Sequence, residues 1–291
     1  MLILCPASLQ HDLKTYRILL TNDDGVNSPA LEPTIDSIFR LEAPPFNLKV
    51  NLEVIVPKNE QSWIAKKVSI RDRIRVEKNV TVGHHAVTTL TGTPADCVNY
   101  GIYRSKKKPH LVVSGMNVGS NTSLGHHLSS GTVGGAVEGV IAGVRSIAVS
   151  APYANEPRTP DSFAKALEIF PKLMYHFLLD PPTGIKMLSV NIPLSRTSNY
   201  YLPVFLERKT YGAIFEEVEE GILAHRHMKN LVHPDDLTLG SDRWARAYGI
   251  PTALPIDHTA NPIPPSSLQK WLAKHNLNHR LREEELNFIE Y

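Results

Sequence analysis

The stretch Ile18-Leu19-Leu20-Thr21-Asn22-Asp23-Asp24-Gly25-Val26-Asn27-Ser28-Pro29 constrains the fold more than any other. Three apolar residues in a row read as a buried strand, and the residues from Asn22 to Ser28 are turn formers. Ser28-Pro29 then predicts a helix start, with a hydroxyl able to cap free N–H groups and proline at the first helical position. Leu31, Ile35 and Ile38 follow at helical spacing. The adjacent carboxylates Asp23 and Asp24 therefore fall where a strand ends and a helix begins, the place where open α/β sheets bind ligands. Neighbouring aspartates repel, and a hard divalent cation, Mg²⁺, Mn²⁺ or Ca²⁺, is the simplest neutraliser. An Asx-type turn pointing into water is the competing reading.

The strand-then-turn pattern recurs. Val50 to Val56 predicts a second strand, ending at Pro57 and running into Gln61-Ser62-Trp63, and residues 68–91 predict hairpin strands. Thr93-Pro94-Ala95-Asp96 repeats the cap-plus-proline helix start. Leu111 to Ser114 is a third strand, leading into Ser114-Gly115-Met116-Asn117-Val118-Gly119-Ser120-Asn121. Ser130-Gly131-Thr132 opens a helix carrying Gly134, Gly135, Gly139 and Gly143. So many glycines cost helix stability, which predicts close backbone packing against the sheet as compensation. Ser146 to Ser150 is a fourth strand; residues 161–178 predict an amphipathic helix kinked at Pro171, and Met187 to Pro193 a further strand. Strands joined by helical crossovers imply a mostly parallel α/β sheet with helices on both faces.

This divides the chain into an extension (1–16), an α/β core (17–194), a loosely patterned arm (195–265) expected to pack on another subunit, and a terminal helix (266–291) belonging to the same domain. A net charge of +2 gives no basic field for nucleic acid. Cys5 and Cys97 are too few for a disulfide framework or a zinc site, and Met1 to Pro6 is short and lacks a basic leader. A soluble cytoplasmic protein with no membrane span is expected.

In such a sheet the strand C-termini share one edge, so the loops can converge. Asp23 and Asp24 would supply charge to a divalent cation, with neutral oxygens from Ser62 and Asn117. Ser130, Gly131 and Thr132 at a helix N-terminus, with Asn121, would offer donors to an anion. A metal beside an anion-binding terminus is equipment for phosphoryl chemistry.

Thr21-Asn22-Asp23-Asp24-Gly25, Gln61-Ser62, Gly92-Thr93-Pro94-Ala95-Asp96-Cys97-Val98, Ser114-Gly115-Met116-Asn117-Val118-Gly119 and Ser130-Gly131-Thr132-Val133-Gly134-Gly135-Ala136 stand in order along the chain. Val190-Asn191-Ile192-Pro193 and Ser241-Asp242-Arg243-Trp244-Ala245 follow. Together they resemble the SurE-type nucleotidase family, metal-dependent survival-protein phosphatases. The resemblance implies a Rossmann-like fold and release of phosphate from nucleoside 5′- or 3′-monophosphates. It implies one divalent ion at Asp23, Asp24, Ser62 and Asn117, Thr93 and Pro94 near the nucleotide, and dimers or tetramers with exchanged C-terminal arms.

Two stretches depart from the family pattern. Trp63-Ile64-Ala65-Lys66 stands where Gly-x-Gly is usual, and Gly125-His126-His127 where acidic residues are common. The His pair is expected in a surface loop, and Lys66 and Lys67 on a solvated face. In the catalytic reading Asp24 orients or deprotonates the attacking water or attacks directly. Asn117 ligates and positions, and the donors of Asn121, Ser130 and Thr132 hold non-bridging oxygens. The alternative is a nucleotide-binding or sensing module with little turnover. A dinucleotide oxidoreductase lacks its Gly-x-Gly-x-x-Gly after the first strand.

Overall fold

A computed structural model of the chain describes residues 14–152, 158–208, 212–225 and 237–256. The apolar run is the middle of β1 (Thr15–Thr21), followed by α1 (Leu31–Phe39), β2 (Lys49–Pro57), β3 (Val76–Val82), β4 (His85–Leu90), α2 (Pro94–Arg104) and β5 (Leu111–Asn117). Next come α3 (Leu124–Ser129), α4 (Gly131–Ile141), β6 (Ser146–Ser150), α5 (Pro160–Ala166), α6 (Phe170–Leu179) and β7 (Met187–Asn191). The later described elements are β8 (Leu202–Pro203), β9 (Phe215–Glu219), β10 (Ile222–His225), α7 (Asp242–Ala247) and β11 (Thr252–Ile256).

Among the described residues one sheet runs in the order β3-β4-β2-β1-β5-β6-β7-β11-β8. Neighbours from β4 to β7 are parallel, whereas β3 and β11 pair antiparallel with β4 and β7. The chain leaves β1 for β2 on one side and later crosses through α2 to β5 on the other. The β1–β5 boundary is therefore the topological switch point, where a crevice opens beyond the strand C-termini.

Alternation divides the buried residues between the two faces of the sheet. Ile18, Leu20, Leu111, Val113, Ile147 and Val149 join Ile35, Ile38, Phe163 and Phe170 in one cluster. Leu19, Val112 and Ile55 face Cys97, Val98 and Ile102 of α2 in another, and Ala148 meets Val133, Ala136 and Val140 of α4 in a third. The close packing expected of the glycine-rich helix is present. A Cβ on Gly134 would stand 2.2 Å from the Ala65 carbonyl oxygen. A Cβ on Gly139 would stand 3.0 Å from Val112 Cγ2 of β5, so the neighbours are both the sheet and the loop after β2.

Two boundaries differ from the sequence reading. The helix expected from Ser28-Pro29 starts at Leu31, because Ser28 N–H bonds Gly25 O and Leu31 N–H bonds Ser28 O, two turns that precede it. Ser28 Oγ accepts from Ala30 N–H within them. The helix over 161–178 is two helices joined by a 3₁₀ turn at Leu167–Ile169, with Pro171 in the first turn of α6 instead of at a kink. Part of the 195–265 region extends the main sheet through β8 and β11. It shows no sheet period in the sequence because β8 has two residues and β11 contains Pro255. Residues 1–13 of the extension and the terminal helix expected over 266–291 lie outside the described residues.

Candidate active site

β1, β2 and β5 end at one edge of the sheet, and the loops leaving them meet there. A cavity of about 200 Å³ is lined by Asp23 from the first turn, Ser62 and Trp63 after β2, Asn117 and Asn121 at the end of β5, and His126 and Ser130 ahead of α4.

Asp23 is buried against the N-terminus of α4. Its Oδ1 accepts from the Thr132 hydroxyl at 2.5 Å and its Oδ2 from the Thr132 N–H at 3.0 Å. The helix dipole favours the negative charge there. Gly131 permits the approach, since a Cβ would come within 2.8 Å of Gln61 O and 2.9 Å of Asp23 Cβ. Asp24 Oδ2 accepts from Val118 N–H at 2.8 Å. Burial raises the Asp23 carboxyl to about 6 against the Thr132 donors. Burial first, and Asp23 beside it second, raises Asp24 to about 7. Glu60 adds repulsion to both. Such a pair gains from a cation more than a solvated pair would. Asp23, Ser62 and Asn117 line the cavity, whereas Asp24 is not part of the lining and reaches it through its bond to Val118. Two carboxylates, a hydroxyl and a carboxamide oxygen are a donor set that fits a hard divalent ion.

The other residues expected in the site divide. Ser130 lines the cavity and caps α4, its hydroxyl accepting from Val133 N–H at 3.1 Å. Asn121 also lines it, held by Nδ2 donating to Ser150 Oγ at 2.7 Å and by its N–H donating to Asn191 Oδ1 at 3.3 Å. Thr132 was expected on phosphate, but its hydroxyl and N–H both point to Asp23, and it orients a carboxylate. Gly131 packs on Asp23 and Gln61. Thr93 and Pro94 do not line the cavity. Thr93 forms a capping box with Asp96 at the start of α2 and donates its hydroxyl to Lys67 O at 2.6 Å.

Neither His126 nor His127 is the surface-loop residue expected from the sequence: both lie on α3, and His127 is buried. His126 lines the cavity, with Nδ1 3.2 Å from Ser123 Oγ and its ring 5.5 Å from Trp63. Burial lowers its pKa, and Arg243 and Arg246 of α7 add to the effect. Lys66 pairs with Glu138 of α4 at 2.6 Å. Asp242, buried at the start of α7, accepts N–H bonds from Ser123 at 2.7 Å, Arg243 at 2.8 Å and Glu207 at 3.0 Å. It ties the loop after β5 to the returning chain. Asn191 and Asp242 both stand in the fainter motifs of the sequence, and contacts 70 and 119 residues away reveal what they do.

Among the described residues no helix is long and apolar enough to cross a membrane. The family model described as survival protein SurE matches residues 18–208. A relative from Methanocella arvoryzae named 5′-nucleotidase SurE is 34% identical over 210 residues, 69% of this chain and 76% of that protein. Another of the same name from Methanoculleus marisnigri is 28% identical over 79% of this chain and 94% of its own length. The crystal structure of the SurE protein from Aquifex aeolicus superposes with a TM-score of 0.63, covering 89% of this chain and 99% of that one at 23% identity. The ordered motifs, the sheet order and the crowded aspartates at the switch point agree with these matches: the chain belongs to the SurE family.

Proposed function

We propose that the chain is a divalent-metal-dependent phosphomonoesterase that converts nucleoside 5′- or 3′-monophosphates to nucleoside and phosphate. The observation that carries this reading is the Asp23–Asp24 pair, charged only at a cost, set beside a cavity with Ser62, Asn117 and Ser130. The naming of its relatives as 5′-nucleotidases supports the substrate class.

Asp23, Asp24, Ser62 and Asn117 would hold the ion, which when bound polarises the phosphate and makes a water more acidic. Thr132 locks both Asp23 oxygens, so that ligand is set before substrate arrives. Asp24, fixed through Oδ2 by Val118, takes the proton of the attacking water at Oδ1. Asn117 orients the phosphate, and Ser130, Asn121 and the Gly131 N–H donate to its non-bridging oxygens. Arg243 and Arg246 add positive potential on that side, as their effect on His126 indicates. Pro94 packs on α4 near Gly135, so Thr93 and Pro94 act through the seating of that helix.

Dimers or tetramers formed through the 195–265 region are part of this proposal. Supporting them, Phe215, Val218, Ile222 and Leu223 are exposed on the β9–β10 hairpin. A reducing, cytoplasmic setting is supported by Cys97, a buried free thiol.

The test is phosphate release from a panel of nucleoside 5′- and 3′-monophosphates with Mg²⁺, Mn²⁺ or EDTA. Release that needs the metal and stops with EDTA is expected. Tight nucleotide binding with no release under any metal, from folded protein, would replace the reading with a binding module.

A further inference from the structure

A second cluster of metal-ligating side chains stands apart from the aspartate pair. Asp36 lies on the exposed side of α1, and His84 and His85 lie where the β3–β4 hairpin turns. One ligand atom from each can be chosen so that all lie within 4.8 Å of one another. His85 Nε2 is 2.9 Å and His84 Nε2 is 4.0 Å from Asp36 Oδ1. Glu32, one helical turn before Asp36, has Oε1 3.7 Å from His84 Nδ1.

We propose that Asp36, His84 and His85 form a second cation site, for Zn²⁺ or a similar first-row transition ion, that pins the β3–β4 turn to α1. Two imidazoles with carboxylate oxygens suit Zn²⁺ and its neighbours, whereas Mg²⁺ and Ca²⁺ prefer oxygen alone. Around Zn²⁺ the ligand atoms stand about 2.0–2.2 Å from the metal and hence roughly 3.5 Å from each other. The observed spacing reaches that by small side-chain rotations. Glu32 is placed to give a fourth ligand.

The surroundings hold the cluster in position. The His85 ring stacks on Phe39 with centroids 5.8 Å apart and planes 15° from parallel, and the His84 and His85 rings are 3.9 Å apart. Gly83, at φ +56°, lets the Glu32 carboxylate lie against the turn, where a Cβ would stand 1.7 Å from Oε1. Ile35 and Ile38 bury the other side of α1, so Asp36 is presented on a fixed helix.

The location separates this site from the proposed catalytic one. β4 runs parallel to β2, with Leu90 beside Pro57 at the edge that carries Ser62. His85 begins β4 and lies at the opposite edge, about 17 Å away along the strand. The ion here is structural, and hydrolysis does not depend on it.

Zn²⁺ titration calorimetry on the full chain in saturating Mg²⁺ tests this, comparing wild type with a His84→Ala/His85→Ala variant. The variant is expected to bind one equivalent fewer. Zn²⁺ at 100 times its Kd is expected to raise the unfolding temperature by about 5 °C in wild type only. Mg²⁺-supported phosphate release should match in both proteins. Equal Zn²⁺ stoichiometry and equal thermal shifts would overturn the proposal. If the double variant fails to fold by circular dichroism, Asp36→Ala is read instead against the same two outcomes. An inactive wild type would count against the nucleotidase reading without touching this one.

Discussion

Asp24 and Asp242 are both largely buried aspartates, and burial raises the pKa of both. Their surroundings differ. Asp242 accepts three backbone N–H groups, from Ser123, Glu207 and Arg243, which replace the water it lost. Among the described residues Asp24 accepts one, from Val118, and has Asp23 as an immediate like-charged neighbour, against which Arg158 supplies a smaller favourable charge. A carboxylate whose charge the fold satisfies is a clasp. One whose charge the fold leaves under-compensated waits for a cation. Burial alone does not distinguish structure from chemistry; the donor inventory does.

Exchanging each for its amide separates the roles. Asp24→Asn should lower kcat for phosphate release by about 10²–10⁴-fold, and the metal-free protein at pH 8 should melt no lower than wild type. A folded variant with near-normal turnover would remove Asp24 from the chemistry. Asp242→Asn should instead cost about 2–3 kcal/mol of stability, because an NH₂ group faces donors that need an acceptor. Urea unfolding checks this, and a variant as stable as wild type would end the clasp description. Thr132→Val, which strips the hydroxyl from Asp23 Oδ1, should weaken Mn²⁺ activation by about 10–100-fold with little change in folding.

The smallest effect is in pH. The Asp23 and Asp24 pKa values are raised in the fold from 3.8 to about 6 and about 7. Between those limits the native state holds more protons than the unfolded state, so metal-free stability falls as pH rises through the window. Melting in EDTA from pH 4 to pH 8 should show a smaller fall in Asp24→Asn than in wild type. Identical slopes would mean that the pair is not strained.

Much of this arrangement is legible in the sequence because it is written locally. The Ile18-Leu19-Leu20 run and the turn after it give β1 and the aspartates, and Thr93-Pro94 with Asp96 gives a capping box found intact in α2. Local reading fails where a distant partner decides. Thr132 looks like a phosphate donor at a helix start, and only the fold brings it to Asp23, 109 residues away. His126 reads as loop, yet it sits on α3 with its ring 5.5 Å from Trp63, a residue 63 positions earlier, and lines the cavity. Ser28-Pro29 has the chemistry of a helix start, yet two turns use its backbone first. β11 is a strand because β7 offers an open edge, since Pro255 and the short run argue against one.

The central claim is that Asp23 and Asp24 seat the ion that hydrolysis needs. Equilibrium Mn²⁺ binding to the His84→Ala/His85→Ala protein, without and with Asp24→Asn, tests it most directly. One equivalent bound by the first, and a loss of it in the second that parallels the loss of phosphate release, is the expected result. Equal Mn²⁺ binding by both proteins would contradict it.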